Sequence, residues 1–127
     1  MVDAVFLPPG DEHQLTQMMA GRKLVVEVGA FTGLMSEVIL RSMDPAGHLW
    51  MIDTFLGTSG GACTQISRIE QLRELFDRLR SWEGRFSIII GRSEHQIEFK
   101  NRFLDCVFLD GDHDYLSVSR DICHWLP

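Results

Sequence analysis

The 127-residue chain is poor in the residues that build stapled or fibrous proteins: three cysteines, four prolines and a single tyrosine. Cys63, Cys106 and Cys123 are odd in number and lack metal-type spacing, which argues against a disulfide framework. No stretch approaches the ~20 consecutive apolar residues of a membrane span, and the N-terminus lacks the basic-then-apolar pattern of a signal peptide. Basic side chains are few as well. Twelve Lys and Arg against 18 Asp and Glu leave a formal charge of −6, the wrong sign for a protein that tracks nucleic-acid phosphates with clustered cations. Internal repeats and low-complexity tracts are absent. What remains is 45% apolar and 24% charged, enough for a core, since a chain of this length buries roughly two-thirds of its unfolded surface. The expectation is one cytoplasmic domain spanning residues 1–127.

Strands and helices alternate along it. Met1 to Gly10 is an opening segment ended by Pro8-Pro9-Gly10, which cannot continue a helix. Asp11 to Ala20 reads as a short helix capped by Asp11, with Leu15, Met18 and Met19 on one side. Lys23 to Val28 is a short β-branched run bounded by Gly29, and Leu34 to Met43 follows with helical spacing of Met35, Val38, Ile39 and Met43. The cycle repeats: a strand over His48 to Asp53, a glycine-bearing loop from Thr54 to Thr64, and a helix over Gln65 to Trp82 with Ile69, Leu72, Phe76 and Leu79 in a stripe. Phe86 to Ile90 and Leu104 to Leu109 read as the third and fourth strands, and Tyr115 to Leu126 as a final helix. Strands apolar on both faces belong to parallel sheets sandwiched between helices. The fold class is therefore α/β, a doubly wound, mostly parallel, Rossmann-like sheet of about four strands.

Ligands of such sheets bind beyond the carboxyl ends of the strands, where strand order reverses. Four loops qualify: Glu27 to Gly33, Asp53 to Gly61, Gly91 to His95, and Asp110 to Tyr115. Gly29 and Gly33 suit a tight bend with close backbone approach, although two glycines alone describe any strand-to-helix turn. Phe31 stands where a dinucleotide fingerprint needs its second glycine, and Glu27 would repel a pyrophosphate but suit a cationic ligand. Asp53, closing the second strand, can accept hydrogen bonds from both hydroxyls of a ribose or simply cap the next loop.

Taken in order, Glu27-x-Gly29-x-x-x-Gly33, then Asp53, then Gly91-x-Ser93, then Asp105-x-Val-Phe-Leu-Asp110-Gly-Asp-His resembles a class I S-adenosylmethionine-dependent methyltransferase. The similarity runs from about Leu24 to Pro127 and looks nearest to the small-molecule O-methyltransferase branch. The resemblance implies S-adenosylmethionine as cofactor, with Glu27 and Gly29 at its methionine end, Gly33 supporting that loop, Asp53 on the ribose and Ser93 by the adenine. It also implies Asp110 facing the transfer centre, where the matching carboxylate of metal-dependent relatives binds a divalent cation such as Mg²⁺. Asp112 or His113 would supply the general base, and His113 titrates in the right range for that. As alternatives, Asp110-Gly-Asp112 is an ordinary Asx-type turn and His113 a polar residue at a helix start. His48, His95 and His124 read as structural or surface residues, Cys106 as core, and Trp50, Trp82 and Trp125 as packing residues.

The family fold has seven strands, so the C-terminal strands are absent from this chain, and the resemblance leaves the fourth strand at an exposed edge. An apolar edge there implies pairing with a second copy. Arg92 departs from the acidic residue that relatives often carry. Three functions follow: a methyltransferase acting on a hydroxyl of a small molecule, a non-catalytic nucleoside-binding half-domain working through oligomerisation or a partner, and, least supported, a nicotinamide-binding oxidoreductase.

Overall fold

The computed structural model describes residues 3–5, 12–56, 67–93, 104–110 and 115–125. Five strands, β1 (Asp3–Val5), β2 (Leu24–Val28), β3 (His48–Asp53), β4 (Phe86–Ile90) and β5 (Cys106–Leu109), form one sheet in the order β1-β5-β2-β3-β4. Every neighbouring pair is parallel. The helices are α1 (Glu12–Met19), α2 (Leu34–Ser42), α3 (Arg68–Leu79) and α4 (Tyr115–Trp125). Among the described residues no helix is long and apolar enough to cross a membrane.

The sheet has a packed layer on each face, as alternation of side chains along strands requires. Val25, Leu49, Met51, Cys106 and Phe108 point to the side covered by Leu15 and Met19 of α1, Val38 to Leu40 of α2, and Leu75 and Leu79 of α3. Val26, Val28, Ile52, Val107 and Leu109 point the other way, against Leu104 and Trp125 of α4. Helices on both faces make the doubly wound architecture expected from the two-sided apolar strands. The chain runs outward through β2, β3 and β4, then returns to place β5 on the opposite side of β2. The switch point therefore lies between β2 and β5.

Four expectations need correction. The opening segment contributes β1, whose Asp3, Ala4 and Val5 pair with Cys106, Val107 and Phe108. Consequently β5 is not an edge strand: it lies between β2 and β1, as its burial on both faces demands, and a homodimer through that edge loses its site. The inward face of α3 carries Gln71, Leu75 and Leu79, whereas Ile69 and Phe76 are 69% and 52% exposed. Phe76 leans instead toward Phe86 of the outer strand β4, ring centroids 6.4 Å apart. Met18, expected on the covered side of α1, is partly exposed. The start of α3 is set by a capping box, Ser67 accepting from the Glu70 N–H while the Glu70 carboxylate accepts from the Ser67 N–H. The Asp11 cap and the glycines and cysteine of residues 57–66 lie outside the described residues.

Candidate functional site

Periodicity of two brings three acids to one face at the carboxyl end of the sheet. Glu27 follows Val25 on β2, Asp53 follows Met51 on β3, and Asp110 follows Phe108 beyond β5. The sheet ladder continues past the strands, with the Asp110 N–H donating to the Val28 carbonyl at 2.7 Å and the Gly29 N–H to Ile52 at 2.9 Å. The three carboxylates thus stand on adjacent strands around the switch point.

Glu27 is the most unusual of them. Its side chain is fully buried, with 0% of the residue exposed. Ser36, on the inner face of α2, donates its hydroxyl to Oε2 at 2.5 Å, while Oε1 has no hydrogen-bond partner among the described residues. Burial, opposed in part by Ser36 and reinforced by the charges of Asp110 and Asp53, pushes the carboxyl up to about 8. A buried acid with one oxygen unmatched is a costly arrangement for packing alone.

Asp53 acts differently. Its Oδ2 accepts the Phe31 N–H and its Oδ1 the Phe55 N–H, both at 2.8 Å. Phe31 and Phe55 hold left-handed backbone at φ 50° and 54°, a conformation costing roughly 1–2 kcal/mol for an L-residue. Asp53 therefore pins the bend after β2 to the loop after β3. A carboxylate offers about four lone-pair sites, of which the described residues take two. The bend itself needs its glycines: Gly29 and Gly33 have φ of 90° and 86°, and the Gly33 N–H closes the turn onto Ala30 at 2.9 Å. A Cβ on Gly33 would meet Leu75 and Leu79 of α3 at ordinary contact distance, so the left-handed backbone, not lack of space, favours glycine there. Arg78 of α3 secures the same loop by donating to the Thr32 carbonyl at 3.1 Å.

Ser93 is buried after β4, and its hydroxyl faces α4. It donates to Asp121 Oδ1 and accepts from Trp125 Nε1 at 3.2 Å. The Ser93 hydroxyl is therefore engaged with α4. Asp112 and His113 lie outside the described residues. Among the described residues no three His, Cys, Asp or Glu side chains gather around a point that could hold a metal. Ser36, Asp121 and Trp125 were not recognised from sequence as polar partners of the site; the one available signal was a serine among the apolar residues of α2. Asp105, quoted within the motif, is architectural: its carboxylate accepts the N–H groups of Lys23 and Leu24 at 2.6 and 3.0 Å, starting β2. His48 is likewise structural, its Nε2 paired with Ser87 Oγ at 2.8 Å.

Residues 26–127 match the family model described as a methyltransferase domain. No curated protein matches the chain. Among solved structures, an O-methyltransferase from Bacillus cereus in complex with SAH is 15% identical, with a TM-score of 0.63 over 96% of this chain and 54% of its own. The O-methyltransferase TomG of Streptomyces achromogenes, involved in tomaymycin synthesis and solved with SAM, is 16% identical, with a TM-score of 0.62 over 96% of this chain and 53% of its own. A putative RNA methyltransferase from Pyrococcus horikoshii is 17% identical, with a TM-score of 0.61 over 93% of this chain and 54% of its own. The chain spans about half the length of each of these structures.

Proposed function

The chain belongs to the methyltransferase domain family, and from that premise we propose that it binds S-adenosylmethionine and transfers the methyl group to a hydroxyl oxygen of a small molecule. The observation that carries this reading is the row of Glu27, Asp53 and Asp110 across the strand ends, with an unmatched buried oxygen beside a sharp glycine bend. That chemistry fits the cofactor at two places. Asp53 keeps acceptor capacity for the two ribose hydroxyls. Asp110 presents an acidic side chain at the strand ends where the methionine end, with its ammonium group, would lie. The net −6 charge and the acidic site favour a cationic nucleoside over a pyrophosphate-bearing one.

When bound, the sulfonium supplies an already electrophilic methyl group, so the protein's task is to align and to handle a proton. Gly29 to Gly33 bring backbone close to the ligand, and Asp53 orients the sugar while holding that bend in place. Asp110 faces the transfer centre. Asp112 or His113 would take the proton that a hydroxyl acceptor must lose, His113 being suited by an ordinary value near neutrality. The main chain at 91–93 would border the adenine.

Calorimetric titration with S-adenosylmethionine, S-adenosylhomocysteine and NAD tests the reading. Binding of the first two with no heat from NAD is expected, together with methyl transfer to at least one member of a panel of hydroxylated acceptors. Heat from NAD alone overturns it. Binding without turnover, with and without Mg²⁺, instead assigns a non-catalytic nucleoside-binding role.

A further inference from the structure

Resting on the S-adenosylmethionine reading, we propose that Asp121 is a positioning residue: from α4, and through Ser93, it fixes the main chain after β4 that tells adenine from other bases. The observation is a buried polar latch that the strand-end acids and the glycine bend do not use. Ser93 and Asp121 are only 5% and 8% exposed, and the Ser93 hydroxyl donates to Asp121 Oδ1. The same hydroxyl oxygen accepts from Trp125 Nε1 at 3.2 Å. Asp121 and Trp125 lie four residues apart on α4 and so share one face of it. Trp125 is itself seated in the apolar layer with Val26, Ile52 and Val107, so the latch is anchored to the core.

A serine hydroxyl has one proton to give. Ser93 commits it to Asp121, so this side chain cannot also donate to the adenine; what Ser93 contributes there is the placement of its backbone. The segment 91–93 is held at both ends. At its start the Gly91 N–H donates to the Asp53 carbonyl at 3.0 Å, beside the carboxylate assigned to the ribose. At its end Ser93 is tied to α4. Peptide groups held in this way have fixed donor and acceptor directions. Adenine presents a donor at its 6-amino group beside an acceptor at N1, whereas hypoxanthine presents an acceptor beside a donor. Groups fixed to match the first are left unpaired by the second, which is the basis of strong discrimination.

The test is calorimetry with S-adenosylhomocysteine and S-inosylhomocysteine on the wild type and on variants that fold. The wild type is expected to prefer the adenine ligand by at least about tenfold. Asp121→Ala should bind S-adenosylhomocysteine about tenfold more weakly and lose most of that preference, the hypoxanthine ligand changing less. Asp121→Asn keeps an oxygen that can accept the Ser93 hydroxyl, and should retain the preference within about threefold. Equal weakening of both ligands in Asp121→Ala, or none, overturns the proposal, since a purely structural role does not distinguish the bases. An Asp121→Asn variant that behaves like Asp121→Ala overturns it as well. Where Asp121→Ala does not fold, Trp125→Phe decides: it keeps an aromatic ring, removes the N–H, and must narrow the preference. A wild type that binds both ligands equally overturns this inference and leaves the proposed function standing. A wild type that binds neither is a failure of the proposed function itself, and the inference falls with it.

Discussion

Glu27→Gln reads the buried acid through stability alone, with no ligand present. The unfolded chain ionises this carboxyl near its ordinary 4.5, whereas burial and the neighbouring acids raise it to about 8 in the folded chain. Between those values the folded state holds a proton that the unfolded state has lost. Stability from this group is thus fully present below about 4.5 and is lost as pH rises toward 8. The slope is about 1.4 kcal/mol per pH unit, which amounts to roughly 2.5 kcal/mol between pH 5 and 7. Glutamine is neutral throughout and escapes that loss. At pH 5 it is the weaker residue, since an amide nitrogen at the Oε1 position brings buried donors without acceptors, at a cost of about 1–3 kcal/mol. Urea denaturation at pH 5, 6 and 7 should therefore show the variant less stable at the acid end and gaining on the wild type by more than 1 kcal/mol per pH unit. Titrations of other groups cancel in the difference between the two proteins. A wild-type-to-variant gap that stays constant from pH 5 to 7 would refute the buried neutral acid.

Asp53→Ala removes two 2.8 Å acceptors from strained backbone. It should lower stability by about 2 kcal/mol, after allowance for partial exposure, and weaken S-adenosylmethionine binding by about 1.5–3 kcal/mol; unchanged values in a urea melt and a calorimetric titration would remove Asp53 from both roles. Asp105 is held below the ordinary carboxylate range chiefly by the Lys23 N–H, with the Leu24 N–H adding to it. Its contribution is present above that range and disappears as pH falls through the depressed value. Asp105→Ala should accordingly cost about 1 kcal/mol near neutrality and progressively less in acid, and a gap that widens on acidification would contradict the assignment. Gly47→Ala places a Cβ 2.7 Å from the Lys23 carbonyl and 3.0 Å from the Asp44 carbonyl. Because neither backbone oxygen can step aside cheaply, thermal melts should show a loss of about 1–3 kcal/mol, and an unshifted melting temperature would mean that this turn relaxes freely.

The same two periodicities that made the fold legible mark where legibility stops. Apolar runs on both faces identified β2 to β5 and their parallel pairing, because burial on two sides leaves few other solutions. Three residues, Asp3 to Val5, are too short to show any alternation, so β1 was invisible although β5 needs a neighbour on that side. In α3 the apolar count favoured Ile69 and Phe76, yet the helix turns Gln71, Leu75 and Leu79 inward. A buried glutamine defeats a hydrophobicity count, and an outward phenylalanine has Phe86 to lean on. The site shows the same division. An acid closing each strand is a one-dimensional signal, and period two puts Glu27, Asp53 and Asp110 on one face without further information. Their states are not one-dimensional. Asp53 accepts the N–H groups of Phe31 and Phe55, both in left-handed backbone, whereas Glu27 is sealed beneath α2 with the Ser36 hydroxyl as donor. Two acids drawn from the same pattern thus have opposite character. That contrast depends on which backbone amides and helices the third dimension delivers to each carboxylate: Asp53 ties two loops together through their amides, and Glu27 is enclosed under a helix that offers it a single hydroxyl.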